Sequence, residues 1–254
     1  MTCTNRLVSR HKGRNVAVTY STHGNWAEVI LDRPERKNAI VGPLGVELAE
    51  ALEAANAAQD IDAVLLRGRG GAFCSGLDLD EFSADPPPDW MAQWPSTWRR
   101  AHRALFECNK PIVGALERYA INGGAALMLG CDFVIVGEQS FLQVGEVQLG
   151  MAAPYNLAWL ALRHGEAVSA KLALLGDRVY GSDLVSLGVA LECVAEAEVV
   201  PAAVALTEKL ASYPSGAPTR IKKTLRGYVD APIDDWFDKA FANSAGGAKP
   251  PQRR

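Results

Sequence analysis

Short apolar runs and helically spaced apolar residues succeed one another along the chain. Trp26-Ala27-Glu28-Val29-Ile30-Leu31 predicts a strand, stopped by the turn-forming Asp32-Arg33-Pro34. From Pro43 a helix is predicted, because Leu44, Leu48, Leu52 and Ala55 recur at spacings of four and three. Ala63-Val64-Leu65-Leu66 reads as a buried strand leading into the glycine-rich stretch Gly68–Gly76, with a short helix from about Asp78. Asp85-Pro86-Pro87-Pro88-Asp89 must break any helix and predicts a mobile loop. A helix restarts near Pro95, a residue suited to a first turn, and runs to about Cys108. Pro111–Leu116 and Asp132–Val136 are further strands, separated by Gly123-Gly124-Ala125-Ala126, which opens a helix. Strands and helices alternating at this spacing imply an α/β chain with crossovers. Residues 1–15 read as a polar, loose segment, and after about Pro201 only helical patterns remain. The division predicted is a core over 1–200 and a helical subdomain over 201–254.

Composition narrows the function classes. A chain of 254 residues, 48% hydrophobic and 22% charged, suits one large domain with a small appended unit. A net charge of −3 with no basic block argues against nucleic acid as a partner. The five cysteines, Cys3, Cys74, Cys108, Cys131 and Cys193, form no CxxC pair and suit reduced thiols in a cytosol. Asp132 interrupts the longest apolar stretch, so no run reaches the roughly 18 residues of a membrane span. Met1–Asn15 has arginines but no apolar core, unlike a secretory signal. These features together predict a soluble, cytoplasmic protein with no membrane partner.

Two glycine-rich turns, each between a strand and a helix, carry the candidate chemistry. Either alone reads as a tight turn with close helix packing. Side by side, they could aim two backbone N–H groups at one oxygen atom, forming an oxyanion hole. Phosphate loops fail on spacing: GxGxxG needs glycine where Phe73 stands, and GxxxxGK[ST] needs lysine where Leu77 stands.

Ala72-Phe73-Cys74-Ser75-Gly76-Leu77-Asp78-Leu79 resembles the A-F-C-A-G-x-D-L signature of the crotonase, or enoyl-CoA hydratase/isomerase, superfamily. Arg33-Pro34 with Asn38-Ala39 resembles its R-P-x-x-x-N-A element, and Lys110-Pro111 through Gly123-Gly124 its K-P-to-G-G-G segment. The resemblance spans about residues 16–200 in matching order. It implies an α/β fold, a crotonase-like spiral of β-β-α units with a C-terminal helical trimerisation subdomain, and a homotrimer or dimer of trimers. It also implies acyl-CoA thioester substrates, with no separate cofactor since coenzyme A is part of the substrate, and no metal. By the same resemblance the oxyanion amides belong to Leu77 and Gly123, and Leu77, Asp78, Leu79 and Asp80 border the thioester and pantetheine. Lys37 stands where basic residues in relatives reach a CoA phosphate; Lys222 and Lys223 are weaker candidates, and a solvated lysine explains any of them equally.

Departures from the family pattern shape the expected reaction. Hydratases resemble G-G-G-C-E in the second turn, whereas here Asn122 replaces the first glycine and Ala126 the glutamate. A methyl group can neither accept a proton nor orient water. General acid–base help of that kind is worth roughly 10²–10⁴-fold, so ordinary hydration should suffer. Glu146 falls where the family places its other glutamate, and Glu146–Pro154 resembles the E-x-Q-L-G-x-x-A-P segment of monofunctional Δ3-Δ2-enoyl-CoA isomerases. Its apolar neighbours Val144, Val147 and Leu149 predict a raised pKa.

Trp90, Trp94 and Trp98 recur every four residues and read as core packing or as an acyl-pocket wall, with Pro95 arguing against one helix through all three. Cys74 reads as an inert buried thiol, and His11, His23, His102 and His164 show no metal-ligand spacing. The expected enzyme is an isomerase of 3-enoyl-CoA with Glu146 as its acid and base. Two alternatives remain: a hydratase whose water is held by Asp78, Tyr155 or Asn156, and a non-catalytic acyl-CoA-binding protein.

Overall fold

The protein, described by a computed structural model over residues 16–229 and 232–244, winds through successive β-β-α units. The first opens with strands β1 (Val18–His23) and β2 (Trp26–Leu31), hairpinned through Gly24 at φ +64°, and closes with helix α1 (Gly42–Ala57). The second holds β3 (Ala63–Gly68), α2 (Leu79–Phe82) and α3 (Trp94–Glu107). The third is β4 (Ile112–Leu116), β5 (Tyr119–Ile121) and α4 (Gly123–Leu129). The fourth is β6 (Phe133–Gly137), β7 (Phe141–Gln143) and α5 (Pro154–Arg163). Then follow α6 (Gly165–Leu175), β8 (Arg178–Tyr180), α7 (Gly181–Ser186) and β9 (Glu192–Val194). The chain finishes with α8 (Val199–Ala211), α9 (Ala217–Arg226) and α10 (Ile233–Ser244).

The large sheet has the order β1-β2-β3-β4-β6-β9 and is parallel apart from its first pair. Its central strands are buried on both faces, which is why β3 is a continuous apolar run rather than an alternating one. Val64 and Leu66 face the main core with α1, α3 and α5; Ala63 and Leu65 face a second cluster with Val199, Ala203 and Ala211 of α8. The helical tail therefore begins with an element lying on the sheet, while α10 packs against α5 and α3.

Each unit also contributes to a second, shorter layer. Strands β5, β7 and β8 form a three-stranded sheet, and parallel bridges Cys74–Ala120 and Ile40–Leu77 extend it. This stacking of one long and one short strand per turn is the crotonase-type α/β spiral implied by the resemblance. The predicted strands at Trp26–Leu31, Ala63–Leu66, Pro111–Leu116 and Asp132–Val136 are present, as are the helices from Pro43, Pro95 and Gly123. Asp85–Asp89 is non-helical, as its prolines require.

Candidate active site

Register in the short layer brings the glycine-rich turns together. Cys74 pairs with Ala120, and Ala120 with Leu142, all in parallel. Leu77, Gly123 and Gly145 each lie three residues beyond these paired positions, so they end adjacent strands at the same level. Strands so paired run about 4.8 Å apart. Ligands of open parallel sheets bind at such carboxyl ends.

The contact between the first two turns is tight. A Cβ on Gly124 would come within 2.7 Å of the Cys74 carbonyl oxygen and 2.8 Å of the Cys74 Cβ. Gly76 takes φ +92° and lies against the Ile121 carbonyl, so side chains are excluded from both turns. The Gly76 carbonyl accepts from Ile40 N–H at 2.8 Å, and the Ile40 carbonyl accepts from Asp78 N–H at 3.0 Å. A trans peptide sets its N–H opposite the preceding carbonyl, so Leu77 N–H points away from Ile40, toward the turn at Ile121–Gly123 that joins β5 to α4. Among the described residues neither Leu77 N–H nor Gly123 N–H has a protein acceptor. Two unpaired donors on neighbouring strands are suited to an anionic oxygen.

Glu146 stands one residue past the third of these positions, at the start of a 3₁₀ turn, and is 8% exposed. Its Oε1 accepts from Asn156 Nδ2 at 2.8 Å, while Oε2 is buried without a partner. Burial pushes the carboxyl up from 4.5 to about 7, against the opposing pull of its own backbone N–H and of Asn156. The same Asn156 Nδ2 donates to the Asn122 carbonyl at 3.1 Å, and Asn122 Oδ1 accepts from Gly145 N–H at 2.8 Å. Asn122 holds φ +51°, a conformation that costs a non-glycine residue about 1–3 kcal/mol.

Comparison with known proteins decides the family. The sequence model described as enoyl-CoA hydratase/isomerase matches residues 21–236. The chain belongs to the enoyl-CoA hydratase/isomerase family. A Thermus thermophilus protein named "Putative enoyl-CoA hydratase" is 32% identical over 231 residues, covering 87% of this chain and 88% of that one. The 1,2-epoxyphenylacetyl-CoA isomerase of Escherichia coli is 29% identical over 212 residues, 82% of this chain and 81% of its own. The crystal structure of an enoyl-CoA hydratase/isomerase from Pseudoalteromonas atlantica superposes with a TM-score of 0.79 at 26% identity, covering 91% and 92% of the two chains.

Within this enoyl-CoA hydratase/isomerase fold, the other sequence candidates fall into distinct places. Ala126 is fully buried in α4. Asp78 is buried, and its carboxylate is taken by Arg36 at 2.7 Å and Arg33 at 3.2 Å. Burial alone would raise this carboxyl, but the two guanidiniums overcome it and hold it below the ordinary range. Its side chain thus braces the loop through Arg33 and Arg36. Leu79 and Asp80 are exposed on α2, with Asp80 reaching Arg36 at 2.7 Å. Lys37 is exposed at φ +55°, and its carbonyl accepts from Ser75 N–H at 3.2 Å, which sets it beside the first turn. Lys222 instead turns inward, its ammonium donating to the Lys110 carbonyl at 2.8 Å and pairing with Asp132. Lys223 is exposed.

Trp94 and Trp98 share α3 and stack at 5.1 Å, while Trp90 precedes that helix. Trp98 approaches Gly123: its Cζ2 lies 3.6 Å from where a Cβ on that glycine would be. Cys74 is fully buried, its thiol pushed up to about 12 by burial, hence inert. His102 is buried too, its Nδ1 accepting from Trp159 Nε1–H at 2.9 Å, and burial drives it down to about 3. No group of His, Cys, Asp and Glu suited to a metal occurs among the described residues, and His11 and Cys3 lie outside them.

Sequence reasoning did not anticipate the Asn122–Asn156 linkage, although the replacement of a family glycine by Asn122 pointed to it. Asparagine tolerates positive φ better than most residues.

Proposed function

We propose that this chain isomerises 3-enoyl-CoA to 2-enoyl-CoA. The observation that carries the reading is Glu146, a buried carboxyl with a pKa of about 7 and one free oxygen, beside two turns with unpaired amides. Glu146 Oε2 takes a proton from C2, and the C–H electron pair moves into the thioester, giving a dienolate. The amides of Leu77 and Gly123 donate to its oxygen; one such donor is worth roughly 10²–10³-fold in rate. The carboxyl then returns the proton at C4 as the double bond settles between C2 and C3. One group serves first as base, then as acid, and a pKa near working pH suits both steps. With Ala126 at the other family position, no second carboxylate is available there to activate water.

In this reading Leu77–Asp80 border the thioester and pantetheine, Lys37 meets a CoA phosphate, and the Trp94–Trp98 stack flanks the acyl group. The helices after 200 support a trimer or dimer of trimers, and the buried thiols suit a reducing cytoplasm. The other family reaction has one feature in its favour: Asn156 Oδ1 and Glu146 Oε2 are both buried acceptors without a donor, which a water molecule would satisfy. Asp78, engaged by its arginines, is a poor candidate for that task.

Incubation with 3-enoyl-CoA and with 2-enoyl-CoA, followed by chromatography, tests the choice. Double-bond migration with little 3-hydroxyacyl product supports the isomerase; rapid water addition without migration overturns it. A non-catalytic acyl-CoA-binding role predicts that Glu146→Gln changes nothing.

A further inference from the structure

We propose that Asn122 and Asn156 form a positioning clamp that aims Oε2 of Glu146 at the substrate and fixes the carboxyl relative to the Gly123 amide. The clamp rests on the reading of Glu146 as acid and base. Both partners of Asn156 Nδ2, Glu146 Oε1 and the Asn122 carbonyl, are acceptors, so the orientation of this buried amide is set. By occupying Oε1 it leaves Oε2 as the oxygen free for proton transfer. Asn122 completes the linkage from the other side: its carbonyl precedes the Gly123 amide, and its Oδ1 holds the N–H of Gly145, the residue before Glu146. Oxyanion donor and carboxyl are thereby joined through two side chains.

The backbone at Asn122 favours glycine, yet the strained asparagine stands there. Glycine would preserve the turn; what it would lose is the bond to Gly145. A side chain that stands against backbone strain, with its oxygen on the loop that carries the base, points to a functional rather than a conformational reason for the asparagine.

The variants Asn122→Gly, Asn156→Leu and Glu146→Gln of the whole chain separate the possibilities. Turnover of 3-hexenoyl-CoA, thermal melting and the Glu146 titration by carboxyl ¹³C NMR are measured for each. Asn122→Gly should melt no lower than the parent, yet lose roughly tenfold or more in kcat with KM nearly unchanged, since small misplacements of a reacting group are costly. Asn156→Leu should raise the Glu146 midpoint by about one pH unit, because the amide favours the ionised carboxyl. Altered melting with kcat and titration unchanged would overturn the clamp, leaving the asparagines a structural role. Full activity in Glu146→Gln would overturn the reading of Glu146 itself. If Asn156→Leu does not fold, Asn122→Gly decides the matter, because glycine fits that backbone.

Discussion

Replacing Glu146 by glutamine should stabilise the protein at alkaline pH while abolishing turnover. Glutamine keeps the shape of the side chain and an oxygen for Asn156 Nδ2 to bond. It removes the charge that burial disfavours. In the folded protein the carboxyl titrates at about 7 against an ordinary value of 4.5. The unfolded chain therefore gives up this proton first as pH rises. The carboxyl costs no stability below about 4.5, and the cost grows until about 7, after which it is constant. At about 1.4 kcal/mol per pH unit, that gap corresponds to about 3 kcal/mol at pH 8. For a chain of this size, each kcal/mol moves Tm by about 2–4 °C, so the variant should melt roughly 6–12 °C higher there. Calorimetric melts of both proteins from pH 4.5 to 9 give the difference curve directly. A difference that stays constant across this range, or a variant less stable at pH 8, would refute the claim that Glu146 is desolvated in the fold.

Three further substitutions test the supporting structure. Gly124→Ala forces a methyl against Cys74 and should cost about 1–3 kcal/mol of stability; it should also lower kcat by pushing the two amides apart, and a variant with parental Tm and kcat would contradict that packing. Asn38→Ala removes bonds to Arg33 N–H and to the Arg69 and Ala72 carbonyls, so denaturant unfolding should show a loss of about 2–4 kcal/mol. Asp78→Asn should cost about 1.5–3 kcal/mol at pH 7 through its bonds to Arg33 and Arg36. The folded Asp78 carboxyl is held low, so this contribution is present above its unfolded pKa and lost as pH falls through the folded one. The parent and Asp78→Asn melting curves should accordingly converge in acid.

What the sequence reveals follows from how local each signal is. Strand β3 and helix α1 are legible because their apolar residues lie in one continuous run or recur at helical spacing. Strands β5, β7 and β8 are each three residues long, too short to show a period, and are defined by pairing with segments distant in sequence. Glu146 shows the same limit. Its raised pKa is foreseeable, but two of the apolar neighbours that suggested it point elsewhere: Val147 and Leu149 are 41% and 43% exposed. Burial comes from the short layer and from α5, which brings Asn156 across from ten residues away. Asp78 lies in a family motif and is one of the candidates for holding water in the hydratase alternative; that its side chain is engaged by Arg33 and Arg36, 45 and 42 residues distant, is a tertiary fact no local pattern reveals. The backbone roles proposed for Leu77 and Gly123 can be assigned to those residues only through the resemblance, because the relevant atoms are common to every residue type.

The most direct measurement is a crystal structure with an unreactive thioester analogue bound. The account predicts its carbonyl oxygen within about 3 Å of both the Leu77 and Gly123 nitrogens, with Glu146 Oε2 lying over the carbons that exchange protons. A carbonyl bound away from either amide, or Glu146 swung outward to solvent in the occupied site, would contradict it.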